Sequence, residues 1–208
     1  DNAYPVYIIE SQNEFDALCA EWSELSHLSF DTEFIRTNTF YPKLGLLQIA
    51  DSSACYLIDP LCISNWSGFT SLLNTAALQF TVHSCSEDLN LLSTTINSVP
   101  ANLFDTQIAA AFTGLGFSLS YQGLVKLLLD TDIAKDETRS DWLKRPLTDR
   151  QLTYAANDVC YLEMLRGKLL ERLESMNRTA WFNEECAFQL TLADDFENRD
   201  SWMNAYAG

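Results

Sequence analysis

The chain has 208 residues, 47% of them hydrophobic, and its 29 acidic and 13 basic side chains give a formal net charge of −16. This length and composition predict one globular domain with a single substantial core and exclude an intrinsically disordered chain. The charge argues against a broad, nonspecific nucleic-acid-binding surface, although it is compatible with an enzyme that acts on nucleic acid.

No apolar run is long enough to cross a bilayer, and the first residues lack the pattern of a secretory signal. Six cysteines lie mostly among apolar neighbours without a CxxC pair, which is typical of reduced core residues in an intracellular protein. We therefore expect a cytoplasmic protein. Because only two histidines are present, a histidine-rich metal centre is excluded. The chain opens on Asp1, and we interpret it as a fragment.

The first half of the chain predicts mainly β-strands. Ser11 and Glu14 form a capping-box pattern that opens an amphipathic helix running to about residue 24. Two apolar runs joined by a short polar segment predict a hairpin, so the sheet should contain antiparallel strands. A second helix is predicted over 65–74. The predicted strands are 6–9, 27–34, 44–50, 54–58 and 78–82.

The second half of the chain predicts helices. Apolar residues recur with a helical period over 86–96, 106–112 and 121–129. Thr148 is a predicted N-cap, and a long helix should run from it to about residue 174. Strands first and helices later, around one core, predict an α/β domain in which helices cover a mixed sheet.

Two acidic residues interrupt the apolar strand predicted over 27–34. Because side chains alternate along a strand, Asp31 and Glu33 should project from the same face. Two buried acids side by side repel each other and lose hydration unless a cation neutralises them, which indicates a divalent metal site. In so acidic a chain, acid-x-acid is expected about four times by chance, so the motif needs partners elsewhere.

Asp88 lies near the start of the helix that follows strand 78–82. With Ser86 as N-cap, it would complement the helix dipole. Alternatively, it reaches across a strand end to the two acids of the central strand, since ligand sites of α/β sheets gather at strand ends. Asp105 also precedes a helix, and we assign it to N-capping.

Tyr154 and Asp158 lie four residues apart and therefore share one face of the long predicted helix. An unpaired acid near that buried face would be costly, so a cation is favoured; a buried tyrosine beside a marginal acid is the alternative. With Asp31, Glu33 and Asp88, this gives four carboxylates and a phenol that would orient water. Hard oxygen ligands favour Mg²⁺ or Mn²⁺ over zinc, and two such ions about 4 Å apart suit phosphoryl transfer.

Six of the thirteen basic residues fall within 126–150, just before the tyrosine motif. A local basic wall beside a metal-filled pocket would be compatible with a phosphodiester substrate. The segment would equally fit a solvated loop, and composition alone leaves both interpretations open.

The motifs lie in five longer stretches of sequence: FDTEFIRTNTFYPKLGLLQIAD, LIDPL, HSCSEDLNLL, DTQIAAAF and KDETRSDWLKRPLTDRQLTYAANDVCYL. In their order and context these stretches resemble the ribonuclease D family of 3′-to-5′ exonucleases, from the tyrosine-bearing branch of the DEDD superfamily. The resemblance runs from about Tyr4 to at least Leu170. It implies a ribonuclease H-like mixed sheet, with a catalytic domain over 1–175 and a helical connector over 176–208. That connector would lead toward a helical nucleic-acid-binding domain absent from this sequence.

The resemblance also implies roles for the acidic residues and the tyrosine. Asp31 and Glu33 form the first family motif, Asp88 the second, and Tyr154 with Asp158 the third. Asp31 would bridge two divalent ions, Mg²⁺ or Mn²⁺. Glu33 and Asp158 would complete the first metal site. Asp88 would hold the second ion through water.

Phe34 and Lys135 match family positions near the terminal nucleotide and phosphate of the substrate. The predicted function is a metal-dependent 3′-to-5′ exoribonuclease that releases nucleoside 5′-monophosphates. Its substrates would be RNA 3′ ends, most notably tRNA precursors. We expect a monomer without an organic cofactor or membrane association.

Three alternatives to this function are a DNA exonuclease of the same superfamily, a noncatalytic RNA-binding module, and a protein whose acids are only caps and surface charge. The carboxylates support phosphodiester hydrolysis, whereas the choice of RNA over DNA comes from the resemblance alone. A noncatalytic relative would normally have lost one of the five site residues, and all five are present.

Overall fold

The computed structural model describes residues 4–36, 41–134 and 139–206, with side chains described as far as Asp194. Its centre is one six-stranded sheet, and helices flank that sheet as predicted. The strands are β1 (Val6–Ile9), β2 (His27–Ile35), β3 (Lys43–Ala50), β4 (Cys55–Ile58), β5 (Gln79–Val82) and β6 (Leu103–Asp105).

The sheet is mixed, in the order β1-β4-β3-β2-β5-β6. The predicted hairpin is confirmed, since β3 runs antiparallel to both β4 and β2. The other neighbours pair in parallel. The sequence did not predict β6, because three residues are too few to show an alternating pattern.

Eight α-helices and one short 3-10 helix occur in the described residues. They are α1 (Gln12–Trp22), the 3-10 helix Pro60–Cys62, α2 (Ser67–Leu73), α3 (Cys85–Ile96), α4 (Thr106–Phe112), α5 (Tyr121–Leu129), α6 (Asp149–Cys160), α7 (Leu162–Ser175) and α8 (Thr179–Tyr206). The predicted capping residues of α1 and α6 are confirmed: Ser11 accepts from the Glu14 amide, and Thr148 forms a full capping box with Gln151.

The prediction of a single long helix from Thr148 to about residue 174 is wrong. The helix is interrupted at Tyr161, between α6 and α7. The hydroxyl of Tyr121 donates to the Asn157 carbonyl at 2.6 Å and accepts from the Tyr161 amide at 3.4 Å. It thereby occupies the position of the helical bond between those two backbone groups. An inserted side chain of this kind ends or kinks a helix, and a distant residue therefore caused the break.

Ser86 is not the N-cap of α3, contrary to the sequence-based expectation. The cap is Ser84, which has a positive φ of 60° and no side-chain capping bond. Instead, the Asp105 carboxylate accepts from the Ser84 and Cys85 amides at 3.0 and 2.8 Å. The predicted capping role of Asp105 for α4 is confirmed by its bond from the Gln107 amide. One buried carboxylate thus holds the starts of two helices.

The core lies on both sides of the sheet and is rich in aromatic rings. Phe30 and Phe80 meet edge to face across the central strands, with centroids 5.9 Å apart. On the other end of the chain, α8 packs Phe182 against Phe104 at 4.7 Å. All six cysteines are free, and four of them are buried in the core. No helix among the described residues is sufficiently long and apolar to traverse a membrane.

Candidate active site

β2 brings Asp31 and Glu33 to an open end of the sheet. Parallel pairing with β5 involves only residues 27–29, so both acids lie beyond the end of that neighbour. β5 leads directly into α3, which carries Asp88 in its first turn. Ligand sites of α/β sheets gather at the ends of the parallel strands. Three of the predicted site residues therefore meet at one end of the sheet.

α6 brings the last two predicted site residues, Tyr154 and Asp158, to the same end of the sheet. It crosses β2, β3 and β4, and Ala155 and Ala156 are buried on its inner side. Small residues allow the helix to approach the sheet closely. Each carboxylate of Asp31, Glu33 and Asp158 offers one oxygen, and these oxygens lie within 4.8 Å of one another.

Asp88 adjoins this cluster without belonging to it. Its side chain is 6% exposed and accepts a short hydrogen bond from the Thr32 hydroxyl. Thr32 lies between the two strand acids, so the bond ties α3 directly to β2. Among the described acids, only Asp31, Glu33 and Asp158 form the close group. Asp88 is nevertheless near enough for its charge to raise the pKa of Asp31.

The carboxylates of the site are difficult to ionise together. Burial raises the pKa of Asp31 well above its usual range, and the neighbouring acids raise it further. Burial and the charge of Asp158 raise the pKa of Glu33 to about 9, and burial raises the pKa of Asp88 to about 7. Burial raises the pKa of Asp158 to about 6, although hydrogen bonds from Tyr154 and Glu33 lower it. Such a cluster holds protons at neutral pH unless a cation replaces them.

The residues present fit a divalent metal ion. Oδ1 of Asp158 is buried and has no hydrogen-bond partner among the described residues. A cavity of about 60 Å³ lies between Asp31 and Asp158, with His83 and Tyr121 in its wall. Carboxylate oxygens are the ligands that Mg²⁺ and Mn²⁺ prefer. The acidic cluster therefore suits divalent metal binding.

Tyr154 bonds to Asp158 of the cluster and packs against a buried tryptophan. Its ring centroid is 6.0 Å from that of the fully buried Trp142. Trp142 in turn covers Gly45, where an added Cβ would lie 2.6 Å from the tryptophan Cβ. Arg145 locks this arrangement by donating to the Trp142 and Gly45 carbonyls and by forming a double hydrogen bond with Asp59. Only glycine fits at position 45, because the loop packs directly on the strand.

Gly45 also marks a bulge in β3, opposite the end of β2. Glu33 pairs with Leu46 but Phe34 pairs with Leu44, so Gly45 is left unopposed. A bulge of this kind changes the direction of the following side chains and is frequent beside active sites. Beyond it, Phe34 is partly exposed, and the guanidinium of Arg36 lies 5.5 Å from its ring centroid. Lys135 lies outside the described residues.

Sequence reasoning missed two polar residues that support the cluster. Gln48 is fully buried opposite Asp31 and donates to the Glu33 carboxylate at 3.1 Å. His83 contacts the Thr106 hydroxyl and the Leu119 carbonyl, each at 2.8 Å. Because a carbonyl only accepts, His83 carries its proton on Nε2. A lone glutamine in the apolar run of β3 was a detectable signal, whereas the histidine required knowledge of the fold.

Two side chains of the basic segment 126–150 are engaged by acids in the described residues. Arg145 is used for the ion pair with Asp59, at 2.8 Å, and both side chains are largely buried. Lys126 pairs with two exposed acids on its own side of α5, Asp130 and Asp132. Two of the six basic residues therefore have structural or local partners.

A carboxylate cluster at the end of a central strand, on a mixed sheet covered by helices, is typical of metal-dependent nucleases. Comparison with known proteins agrees: the family model described as 3′-5′ exonuclease matches residues 6–174. The chain belongs to this 3′-5′ exonuclease family.

The predicted resemblance to ribonuclease D is also confirmed. Ribonuclease D of Pseudomonas paraeruginosa is 47% identical over 191 residues, covering 91% of this chain and 50% of that protein. Ribonuclease D of a Shewanella species is 44% identical, covering 85% of this chain and 46% of that protein. The crystal structure of Escherichia coli RNase D, described as an exoribonuclease involved in structured RNA processing, superposes with a TM-score of 0.86 at 36% identity. It covers 89% of this chain and 50% of its own length. The chain thus spans about half the length of these relatives.

Proposed function

We propose that this chain is a metal-dependent 3′-to-5′ exoribonuclease. It hydrolyses RNA from the 3′-hydroxyl end and releases nucleoside 5′-monophosphates. The observation that carries the proposal is the convergence of Asp31, Glu33 and Asp158, whose oxygens lie within 4.8 Å although the residues are up to 127 positions apart in the chain. Membership of an exonuclease family gives that convergence its chemistry.

The site would hold two divalent ions, Mg²⁺ or Mn²⁺. Asp31 would be shared between them, Glu33 and Asp158 would complete one site, and Asp88 would serve the other through water. When bound, such ions activate the attacking water and stabilise the leaving oxygen. Support for the role of Asp88 comes from its bond to Thr32, which holds the carboxylate beside the cluster.

The protein's own residues would orient the reacting groups. The Tyr154 hydroxyl donates to the Asp158 carboxylate, and on substrate binding it would orient the attacking water. Gln48 would keep Glu33 directed at the cluster through its bond at 3.1 Å. Phe34 would contact the terminal nucleotide of the substrate, and Lys135 its phosphate.

We further propose 3′ ends of structured RNA precursors, such as tRNA precursors, as substrates. This follows the name of the ribonuclease D relatives and the description of the Escherichia coli structure. The enzyme would act as a cytoplasmic monomer without an organic cofactor. Residues 1–175 would form the catalytic domain and residues 176–208 a connector.

The test is digestion of a 5′-labelled RNA oligonucleotide with a 3′-hydroxyl, in Mn²⁺, in Mg²⁺ and in EDTA. The expected result is a ladder of labelled products that shorten by one nucleotide at a time, with no shortening in EDTA. Internal cleavage, or activity that survives EDTA, would contradict the proposal. A matched DNA oligonucleotide in parallel distinguishes the DNA exonuclease, and intact RNA throughout would favour a noncatalytic binding module.

A further inference from the structure

Arg36 is a basic side chain at the rim of the acidic site. It directly follows β2, and neither β2 nor α3 contains a lysine or arginine. Its guanidinium contacts Glu87, at 3.1 Å, and Glu87 is the neighbour of Asp88 on α3. Arg36 therefore spans from the end of the central strand to the helix that carries Asp88.

A phosphate can replace Glu87 as the partner of Arg36. The Arg36 and Glu87 side chains are 62% and 64% exposed, and they make a single nitrogen–oxygen contact. Exposed ion pairs of this kind contribute little to stability. A phosphate diester offers two oxygens to the guanidinium, and that bidentate geometry is stronger than one contact to a carboxylate.

The guanidinium is also held in a defined place. It lies 5.5 Å from the centroid of the Phe34 ring, within the range of a cation–π contact. The contact with the ring restricts the arginine before any ligand arrives, which lowers the ordering cost of binding. A basic side chain at the rim favours the approach of a polyanion, because carboxylates that carry no cation repel it.

We propose that Arg36 binds a backbone phosphate of the RNA substrate, and that Glu87 holds the arginine at the rim until the phosphate displaces it. Arg36 is thus a substrate-binding residue of the site, and Glu87 is a competitor for it. The proposal rests on the proposed function for its ligand, but binding can be measured without hydrolysis.

The test measures binding of a fluorescent single-stranded RNA oligonucleotide in EDTA, over a series of salt concentrations. Arg36→Ala should weaken binding about fivefold to tenfold and reduce the slope of log affinity against log salt by about 0.7, the value for one lost phosphate contact on a single strand. The affinity of Arg36→Lys should lie between those of the unmodified protein and Arg36→Ala, because lysine keeps the charge but cannot donate two parallel hydrogen bonds as a guanidinium does. Lys168→Ala on α7 is the matched control and should change affinity less than about twofold.

Glu87→Gln should change the RNA-binding affinity in the opposite direction. Freeing the arginine should strengthen binding about twofold to fivefold, and this gain should disappear in the Arg36→Ala background. A gain that persists there would reflect general electrostatics and would overturn the role of Glu87. Equal affinity and equal salt slope for Arg36→Ala and Lys168→Ala, or no RNA binding by the unmodified protein, would overturn the role of Arg36. If RNA is bound but never hydrolysed, the proposed function fails while this inference stands.

Discussion

Two acidic groups beside the sheet have pKa values shifted in opposite directions, although burial alone would raise both. At the end of β4, Asp59 is buried against Arg145, and the hydrogen bonds and charge of the arginine outweigh desolvation, so the pKa of Asp59 is lowered. In β2, beyond the last residue paired with β5, Asp31 and Glu33 lie against other acids, and burial raises the pKa of both.

The difference lies in whether the chain supplies the compensating cation. Around Asp59 the fold provides an arginine, and the resulting pair anchors the loop that carries Trp142. Around Asp31, Glu33 and Asp158 it provides hydrogen bonds from Gln48 and Tyr154, and none of the ion pairs among the described residues joins a lysine or arginine to these three carboxylates. A protein retains the energetic cost of burying uncompensated carboxylates where an external cation is part of its function. The pair in the first region stabilises the fold, and we propose that the cluster in the second region serves chemistry.

The largest effect should follow from neutralising Asp31, the acid that we propose to be shared between two ions. Asp31→Asn should reduce Mn²⁺-dependent RNA shortening by about a thousandfold or more, since it removes a metal ligand worth several kcal/mol. In EDTA its thermal midpoint should rise, because acid–acid repulsion is relieved, and added Mn²⁺ should no longer raise it further. The assay is timed digestion with thermal melting in parallel.

The control for this change is Asp16→Asn, which removes an exposed acid from α1 and should leave both quantities unchanged. Undiminished Mn²⁺-dependent activity of Asp31→Asn would remove the two-metal hypothesis. An unfolded Asp31→Asn protein would instead show that the carboxylate is structural.

Tyr154→Phe tests the hydroxyl that faces the cluster. We expect kcat to fall about a hundredfold, as for loss of a group that orients a reacting water. Affinity for Mn²⁺ should stay nearly unchanged, since we propose that the phenol orients water and does not bind the metal. Steady-state kinetics and Mn²⁺ titration separate the two quantities. A loss of metal affinity as large as the loss of rate would argue against the orienting role.

Arg145→Ala removes the cation from the other region. The free energy of unfolding should fall by about 2–4 kcal/mol, because the buried Asp59 loses its partner and two carbonyls lose their donor. Chemical denaturation measures this, with Lys168→Ala as the exposed control. A change below about 0.5 kcal/mol, the range of neutral surface substitutions, would show that the pair does not anchor the loop.

The pH dependence of stability should distinguish the two regions. The raised pKa values of Glu33, Asp88 and Asp158 mean that the folded protein binds more protons than the unfolded chain between about pH 4 and pH 9, so stability in EDTA should fall as pH rises across this range. The lowered pKa of Asp59 acts in the opposite sense. Its contribution is complete above the ordinary value of 3.8 and is lost as pH falls below it.

In EDTA the thermal midpoint should therefore be highest in mild acid and fall by about 5 °C or more toward pH 9. Saturating Mn²⁺ should remove most of that fall, because the cation takes the place of the protons. Melting curves at a series of pH values, with and without Mn²⁺, give both quantities. A midpoint that rises steadily from pH 5 to pH 9 in EDTA would contradict the raised pKa values.

Much of the fold could be predicted because its signals are local. The alternation around Asp31 and Glu33, the hairpin of β3 and β4, and the capping box at Thr148 each depend on residues close in sequence. The errors arose where a distant group decides the outcome. The helix break at Tyr161 depends on the Tyr121 hydroxyl, and the start of α3 depends on Asp105.

The sequence by itself determined the kind of chemistry, because carboxylates without a histidine or cysteine cluster favour hard divalent ions wherever they meet. It also determined that Tyr154 and Asp158 share a helical face. Only the tertiary structure decided which acids come within 4.8 Å, that Asp88 is directed to Thr32, and that Asp59 receives the arginine. The physical reason is that the pKa of a carboxylate depends on its nearest charges and hydrogen-bond donors. Those groups come from parts of the chain that only folding brings together.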